Sequence, residues 1–225
     1  FISILGKGYL KPLNINIPGD PSASAFFIAL TLLTNNSKLR IKNVGLNPTR
    51  IGFYQLIKKM GAKIKFVNVK LKNKEKIGDI EVYSSKLKPI KAGAEYYVST
   101  TDEYPILFIV AALTPGISIF KGIGDLANKE SNRIEEMKKI LNQIGVKTKS
   151  DKDQIKIYGV DKEKIKKRNI KIPSLRDHRI YMSATILSLV IGLKTNIKNF
   201  ETVKTSSPSF LKIINMIGGK FEIKK

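Results

Sequence analysis

Residues 101–150, "TDEYPILFIVAALTPGISIFKGIGDLANKESNRIEEMKKILNQIGVKTKS", decide how the chain is read. They open with Asp102 ahead of an apolar run and pass a turn to a short strand pattern, "ISIFKGI". A polar loop, an amphipathic segment closed by Gly145 and another strand pattern follow. Residues 19–66, "GDPSASAFFIALTLLTNNSKLRIKNVGLNPTRIGFYQLIKKMGAKIKF", repeat that succession, with "KLRIKNV" as the strand and Gly61 as the stop. Residues 176–225, "RDHRIYMSATILSLVIGLKTNIKNFETVKTSSPSFLKIINMIGGKFEIKK", repeat it again, with "TNIKNFE" and Gly218. The leading aspartates, Asp20, Asp102 and Asp177, lie 82 and 75 positions apart. That period is too long for a tandem solenoid, so one supersecondary unit is used three times.

Local chemistry supports the elements. Asp20 before Pro21 predicts a capped helix start with proline at the first position, where its missing N–H costs nothing. Asp102 is expected to cap its helix in the same way. Ile134, Met137, Leu141 and Ile144 fall on one helical stripe, Asn132 with Glu135 makes a capping box, and Gly145 supplies a left-handed stop. Lys129 and Glu130 therefore precede that helix, and Arg133 lies in its first turn. The runs "FFIAL", "ILFIVAAL" and "MSATILSL" are apolar on nearly every side, which places them in the middle of the molecule. The expected fold is α/β, with three sheets around one helical interior and the Asp-led helix starts converging on one anion-favouring face.

Composition narrows the function classes. The chain has 225 residues, 42% hydrophobic content and no run long enough to span a membrane. It begins with Phe and lacks a signal-peptide pattern, so the natural N-terminus is expected to lie upstream. The absence of cysteine excludes disulfides and thiolate chemistry here and is compatible with a cytoplasmic setting. One histidine argues against a His-rich metal site. The net charge of +23 comes from 35 lysines against 6 arginines, scattered along the chain. The densest group, "DKEKIKKRNIKI" at 161–172, has no interleaved aromatics and reads as a solvated basic surface rather than a nucleic-acid site. No phosphate-loop, dinucleotide or nucleophile-elbow motif is present.

Four stretches carry chemistry beside a structural reading. Asp102 in "TTDEYP" would serve as a base as well as a cap. In "NKESNR", Lys129 and Arg133 stand at a helix start, where cations are unfavourable unless an anion neutralises them. "RDHR" at 176–179 sets His178 and Arg179 at the third helix start, and the planar fork of Arg179 suits a phosphate or carboxylate. "KTSSPSF" at 204–210 reads as a Ser-Pro loop in which Lys204 would still reach an anion.

With "DEYP", "KESNR", "DHR" and "TSSP" in this order on a repeated α/β unit, the chain resembles the C-terminal half of the EPSP synthase family, and "DEYP" is similar to its class II group. The resemblance implies two domains, each of three βαβαββ units around parallel buried helices. In this chain that would make residues 1–18 an inter-domain crossover and first strand. Residues 19–225 would be the C-terminal-half domain, with repeats near 19–98, 99–172 and 173–225, and the N-terminal partner half would be absent. The implied reaction joins phosphoenolpyruvate to the 5-hydroxyl of 3-phosphoshikimate, releasing phosphate without metal or organic cofactor. Asp102 would be the base and Glu130 the proton donor to the methylene carbon. Lys129 would hold the shikimate side, Arg133 and Arg179 would clamp phosphoenolpyruvate, and His178 would support that clamp. Asp125 falls where some members have an Asn facing shikimate, and Lys204 lies one position from a family lysine. Ala127, Asn132 and Ser207 depart from the family's usual arginine, aspartate and aromatic. The alternatives are a UDP-N-acetylglucosamine enolpyruvyl transferase half, or a non-catalytic basic module binding anions or nucleic acid. Alone, this half is expected to be inactive or nearly so.

Overall fold

The computed structural model describes residues 1–165 and 169–223. Residues 1–18 run without helix or strand, and pairing begins with the parallel bridge between Gly19 and Val44. The first unit then builds α1 (Pro21–Leu33), β1 (Lys38–Gly45), α2 (Gly52–Lys59), β2 (Lys63–Lys72) and β3 (Glu75–Tyr83). The second has β4 (Lys91–Ala92), α3 (Tyr97–Thr100), α4 (Tyr104–Ala112), β5 (Gly116–Lys121), α5 (Arg133–Gln143), β6 (Lys147–Ser150) and β7 (Gln154–Gly159). The third has β8 (Ile170–Ile172), α6 (His178–Ile191), β9 (Thr195–Ile197) and α7 (Phe210–Met216).

The sheets reveal the repeat more plainly than the sequence does. In the second, β4 runs parallel to β5, β5 antiparallel to β7, and β7 antiparallel to β6. The first has the same order, with the Gly19 bridge in place of β4. The third holds the parallel pair β8–β9. Two expectations fail there. Asn199, in the left-handed region at φ 55, ends the strand expected over "TNIKNFE", and the chain turns into a 3-10 helix at Phe200–Thr205. Residues 219–223 form no strand after Gly218, and no ladder among the described residues includes them.

Three helices fill the interior, as their apolar composition predicts. All nine residues of α4 are buried, and α1, α4 and α6 pack on one another. Helices this apolar cannot carry a wet face, so the amphipathic α2, α5 and α7 and the three sheets cover them. Buried hydroxyls on the central helices or just past their ends bond back one turn: Thr31 to the Phe27 carbonyl, Thr114 after α4 to Val110 and Ser183 to Arg179. The outer helices end as the sequence predicts. Gly145 adopts φ +82 after α5, and the Val146 amide reaches the Leu141 carbonyl at 3.0 Å, closing the last turn.

Among the described residues no helix is long and apolar enough to cross a membrane. Of the basic group 161–172, Lys166, Lys167 and Arg168 lie outside the described residues. Lys162 is not simply solvated, since its ammonium bonds the Leu33 carbonyl and the Asn35 side chain at the end of α1.

Candidate active site

The site assembles where the central helices begin. Asp177 caps α6, accepting from the amides of Arg179 at 2.9 Å and Ile180 at 3.4 Å. Its other oxygen accepts from the Ser131 hydroxyl at 2.9 Å and Arg133 Nε at 3.0 Å. One fully buried carboxylate thus ties the loop before α5 to the start of α6. Asn132 caps α5 through the Glu135 amide at 3.1 Å, as the capping motif predicts.

Arg133 is 1% exposed and is addressed by three carboxylates. Besides Asp177, its Nη2 donates to Glu130 at 2.6 Å, and its Nη1 stands 3.5 Å from Asp102. Carboxylates of the protein itself meet part of the balance expected from a bound anion at this helix start, Glu130 and Asp177 pairing with Arg133 and Asp125 with Lys129 at 2.7 Å. Asp125 also accepts from the Tyr97 hydroxyl at 2.7 Å. Lys129, followed by Tyr97, holds the Asp125 carboxyl below its ordinary range, and the same bond raises Lys129.

Asp102 does not cap α4. The chain enters that helix from the helical turn of α3, with the Glu103 amide bonded to the Thr100 carbonyl at 2.9 Å, so no side-chain cap is formed. Asp102 instead stands among three arginines: Arg133 Nη1 at 3.5 Å, Arg179 Nη2 at 3.6 Å and Arg50 Nη2 at 3.7 Å. These are ion-pair distances too long for hydrogen bonds. Arg133 Nη1 and Arg179 Nε are buried without a hydrogen-bond partner.

Asp102, Glu130, Arg133 and Arg179 are thus brought together, with His178 beside them at the first position of α6. Burial, followed by the adjacent Arg179 charge, pushes the His178 imidazole below its ordinary value, so it is neutral at pH 7. Lys204 is not brought in. It is exposed on the turn after β9 and borders a cavity of about 310 Å³ lined by Thr185 and Ser188, further along α6.

Sequence reading missed Arg50, Ser22 and Glu103. Arg50 lies in "LNPTRIG", the loop before α2 that corresponds in the first unit to the "NKESNR" loop before α5, and it joins Arg133 and Arg179 around Asp102. Each unit supplies one arginine, but only Arg50 and Arg133 come from matching positions before α2 and α5, whereas Arg179 comes from the first turn of the central helix α6. The scarcity of arginine against lysine, taken with the matching positions of Arg50 and Arg133, was the available signal. Arg50 Nη2 also donates to the buried Ser22 hydroxyl at 3.0 Å. Glu103, 4% exposed, has its carboxyl pushed up to about 7 by burial, opposed by a hydrogen bond from Ser22 and by Arg179.

Against known proteins, the family model of EPSP synthase (3-phosphoshikimate 1-carboxyvinyltransferase) matches residues 1–214. The chain belongs to the EPSP synthase family. A relative from Zymomonas mobilis, a 3-phosphoshikimate 1-carboxyvinyltransferase, is 38% identical over 99% of this chain and 49% of its own. One of the same name from Petrotoga mobilis is 40% identical over 89% of this chain and 46% of its own. The EPSP synthase structure from Acinetobacter baumannii superposes with a TM-score of 0.86 at 34% identity, covering 99% of this chain and 51% of that one. The enolpyruvyl transferase NikO from Streptomyces tendae shares the fold, with a TM-score of 0.66 at 15% identity. The chain spans about half the length of the curated relatives it matches.

Proposed function

We propose that this chain is the C-terminal half of an enzyme that moves the enolpyruvyl group of phosphoenolpyruvate onto the 5-hydroxyl of 3-phosphoshikimate. The observation that supports this reading best is the pair of buried guanidiniums, Arg133 and Arg179, each with an unfilled donor beside Asp102 and Glu130. A buried, unsatisfied donor on a cation is costly to leave empty, and phosphate or carboxylate oxygens of a dianion would fill it.

In this reading Arg133 and Arg179 grip phosphoenolpyruvate. Glu130, bonded to Arg133, gives a proton to the methylene carbon, which leaves C2 electron-poor. Asp102 takes the proton of the 5-hydroxyl as its oxygen bonds to C2. Loss of phosphate and of one methyl proton from the tetrahedral adduct then restores the double bond. Lys129 and Asp125, held as a pair beside Tyr97, face the shikimate ring, and neutral His178 packs beside the clamp without adding charge. The setting is cytoplasmic. A half-site cannot exclude water from these steps, so a second half, N-terminal in the family, must close over it.

Isothermal titration of this chain with phosphoenolpyruvate tests the reading. Arg179→Ala should weaken binding roughly thirtyfold, the equivalent of about 2 kcal/mol for truncating one member of a desolvated charge pair. Salt-sensitive binding of a duplex oligonucleotide that ignores Arg133→Ala and Arg179→Ala would overturn it in favour of a basic binding module. Saturable turnover by this chain alone would overturn the need for a partner half.

A further inference from the structure

Behind Asp102 lies a polar chain that the proposed chemistry does not use. Arg50 Nη2, 3.7 Å from Asp102, donates to Ser22 Oγ at 3.0 Å. Ser22 is fully buried near the start of α1, and its hydroxyl stands against the Glu103 carboxyl, favouring its ionised form. Glu103 sits between α1 and α6 at the entrance to α4, with 4% of its surface exposed and no role in capping. A carboxyl at such depth is normally matched by a full ion pair. Here no ion pair reaches it among the described residues, while Arg179 on the other side keeps an unfilled Nε.

Resting on the reading above, we infer that Glu103 is a positioning residue: its protonation state, transmitted through Ser22, Arg50 and Arg179, sets how strongly the site holds an anion.

The groups facing Glu103 fix the direction. From α1 comes the Ser22 hydroxyl, from the turn before α2 Arg50, and from α6 Arg179. Asp102 adjoins it in sequence, and Tyr54 and Tyr104 lie near enough to feel its charge. Both phenols are raised by burial and stay neutral across the physiological range. When Glu103 is neutral, Arg50 and Arg179 keep their full charge for a ligand. When it ionises, its charge competes with the ligand for both guanidiniums. Its raised value, about 7, puts this change within reach of ordinary buffers. His178 titrates below that point.

The test is a pH series from 6 to 8.5 with two probes, phosphoenolpyruvate and sulfate, the second keeping its charge throughout. For each probe the affinity of the chain is divided by that of Glu103→Gln, so that titration of the ligand cancels. The ratio should fall at least about fivefold across the series, the low end of coupling between linked sites. Ser22→Ala, which removes a hydrogen bond favouring the ionised carboxylate, should move the midpoint to higher pH. A flat ratio, or a midpoint unmoved in Ser22→Ala, overturns the inference. Phosphoenolpyruvate binding with a flat ratio would leave the functional reading standing without it. A Glu103-dependent response to sulfate with no phosphoenolpyruvate binding would do the reverse, and binding of neither probe would end both.

Discussion

Two arginine–carboxylate networks in this molecule have nearly the same parts and opposite character. In the first sheet, Asp79 stands where both ladders slip register, between Ile41 and Val44 on β1 and between Val67 and Lys70 on β2. Its carboxylate accepts from the Asn43 amide at 3.0 Å, Arg40 Nη2 at 2.9 Å and the Asn68 side chain at 2.9 Å. Asn43 and Asn68 take left-handed φ values of 53 and 52, which asparagine tolerates. No side-chain atom of that knot is left buried and unpaired. At the helix starts, by contrast, Arg133 and Arg179 keep unfilled donors and Asp102 touches three arginines without bonding any. A closed network holds a fold. An open one is kept at a cost in stability, and in the function proposed above a ligand fills it.

The largest effect should come from breaking the open network at its centre. Arg133→Ala leaves buried Asp177 without its guanidinium, and removing one partner of a buried pair typically costs about 3–5 kcal/mol. Urea unfolding of variant against parent measures it, and a loss under about 1 kcal/mol would mean the network is already solvated.

Glu103→Gln should act in the opposite sense. A carboxyl whose folded pKa is raised holds its proton more tightly when folded, so stability is highest below the unfolded value of about 4.3 and declines until pH passes about 7. Above that the parent has lost about 3 kcal/mol, judged from the size of the shift. Urea midpoints at pH 5 and 8.5 should differ more for the parent than for the variant.

Asp79 inverts that sign. The Asn43 amide first, then Arg40 and Asn68, hold its carboxyl down at about 2. Its contribution is complete above the unfolded value of about 3.9 and is lost as pH falls through about 2. Asp79→Asn should therefore lower the melting temperature at pH 7, and parent and variant should converge at the acid end. Arg40 is 45% exposed, so this effect should be smaller than the first two. The smallest is Asn132→Ala, about 1 kcal/mol for a lost helix cap. It should leave the salt dependence of phosphoenolpyruvate binding unchanged, because the cap touches α5 and not the clamp.

Much of this is legible in the sequence. The caps at Asp20 and Asn132, the stop at Gly145 and the burial of "ILFIVAAL" follow from residue types within a few positions of each other. Asp102 misled, because a lone aspartate before an apolar run looks like a cap. What removed the need for one was the helical turn at Tyr97–Thr100, which local pattern did not announce. "TNIKNFE" misled likewise, since β-type residues do not reveal that Asn199 will turn left-handed.

The sequence by itself determined that one unit recurs three times, that its apolar helices lie inside, and that aspartates and rare arginines gather near helix starts. Periodicity and capping are short-range, and a single chain displays them. Only the tertiary structure decided that Arg50, Arg133 and Arg179, separated by 83 and 46 positions, meet at one carboxylate, that Lys204 does not join them, and that Glu103 lies buried behind. Those facts depend on how three helices pack, and long-range packing is set by the whole core rather than by any stretch of it.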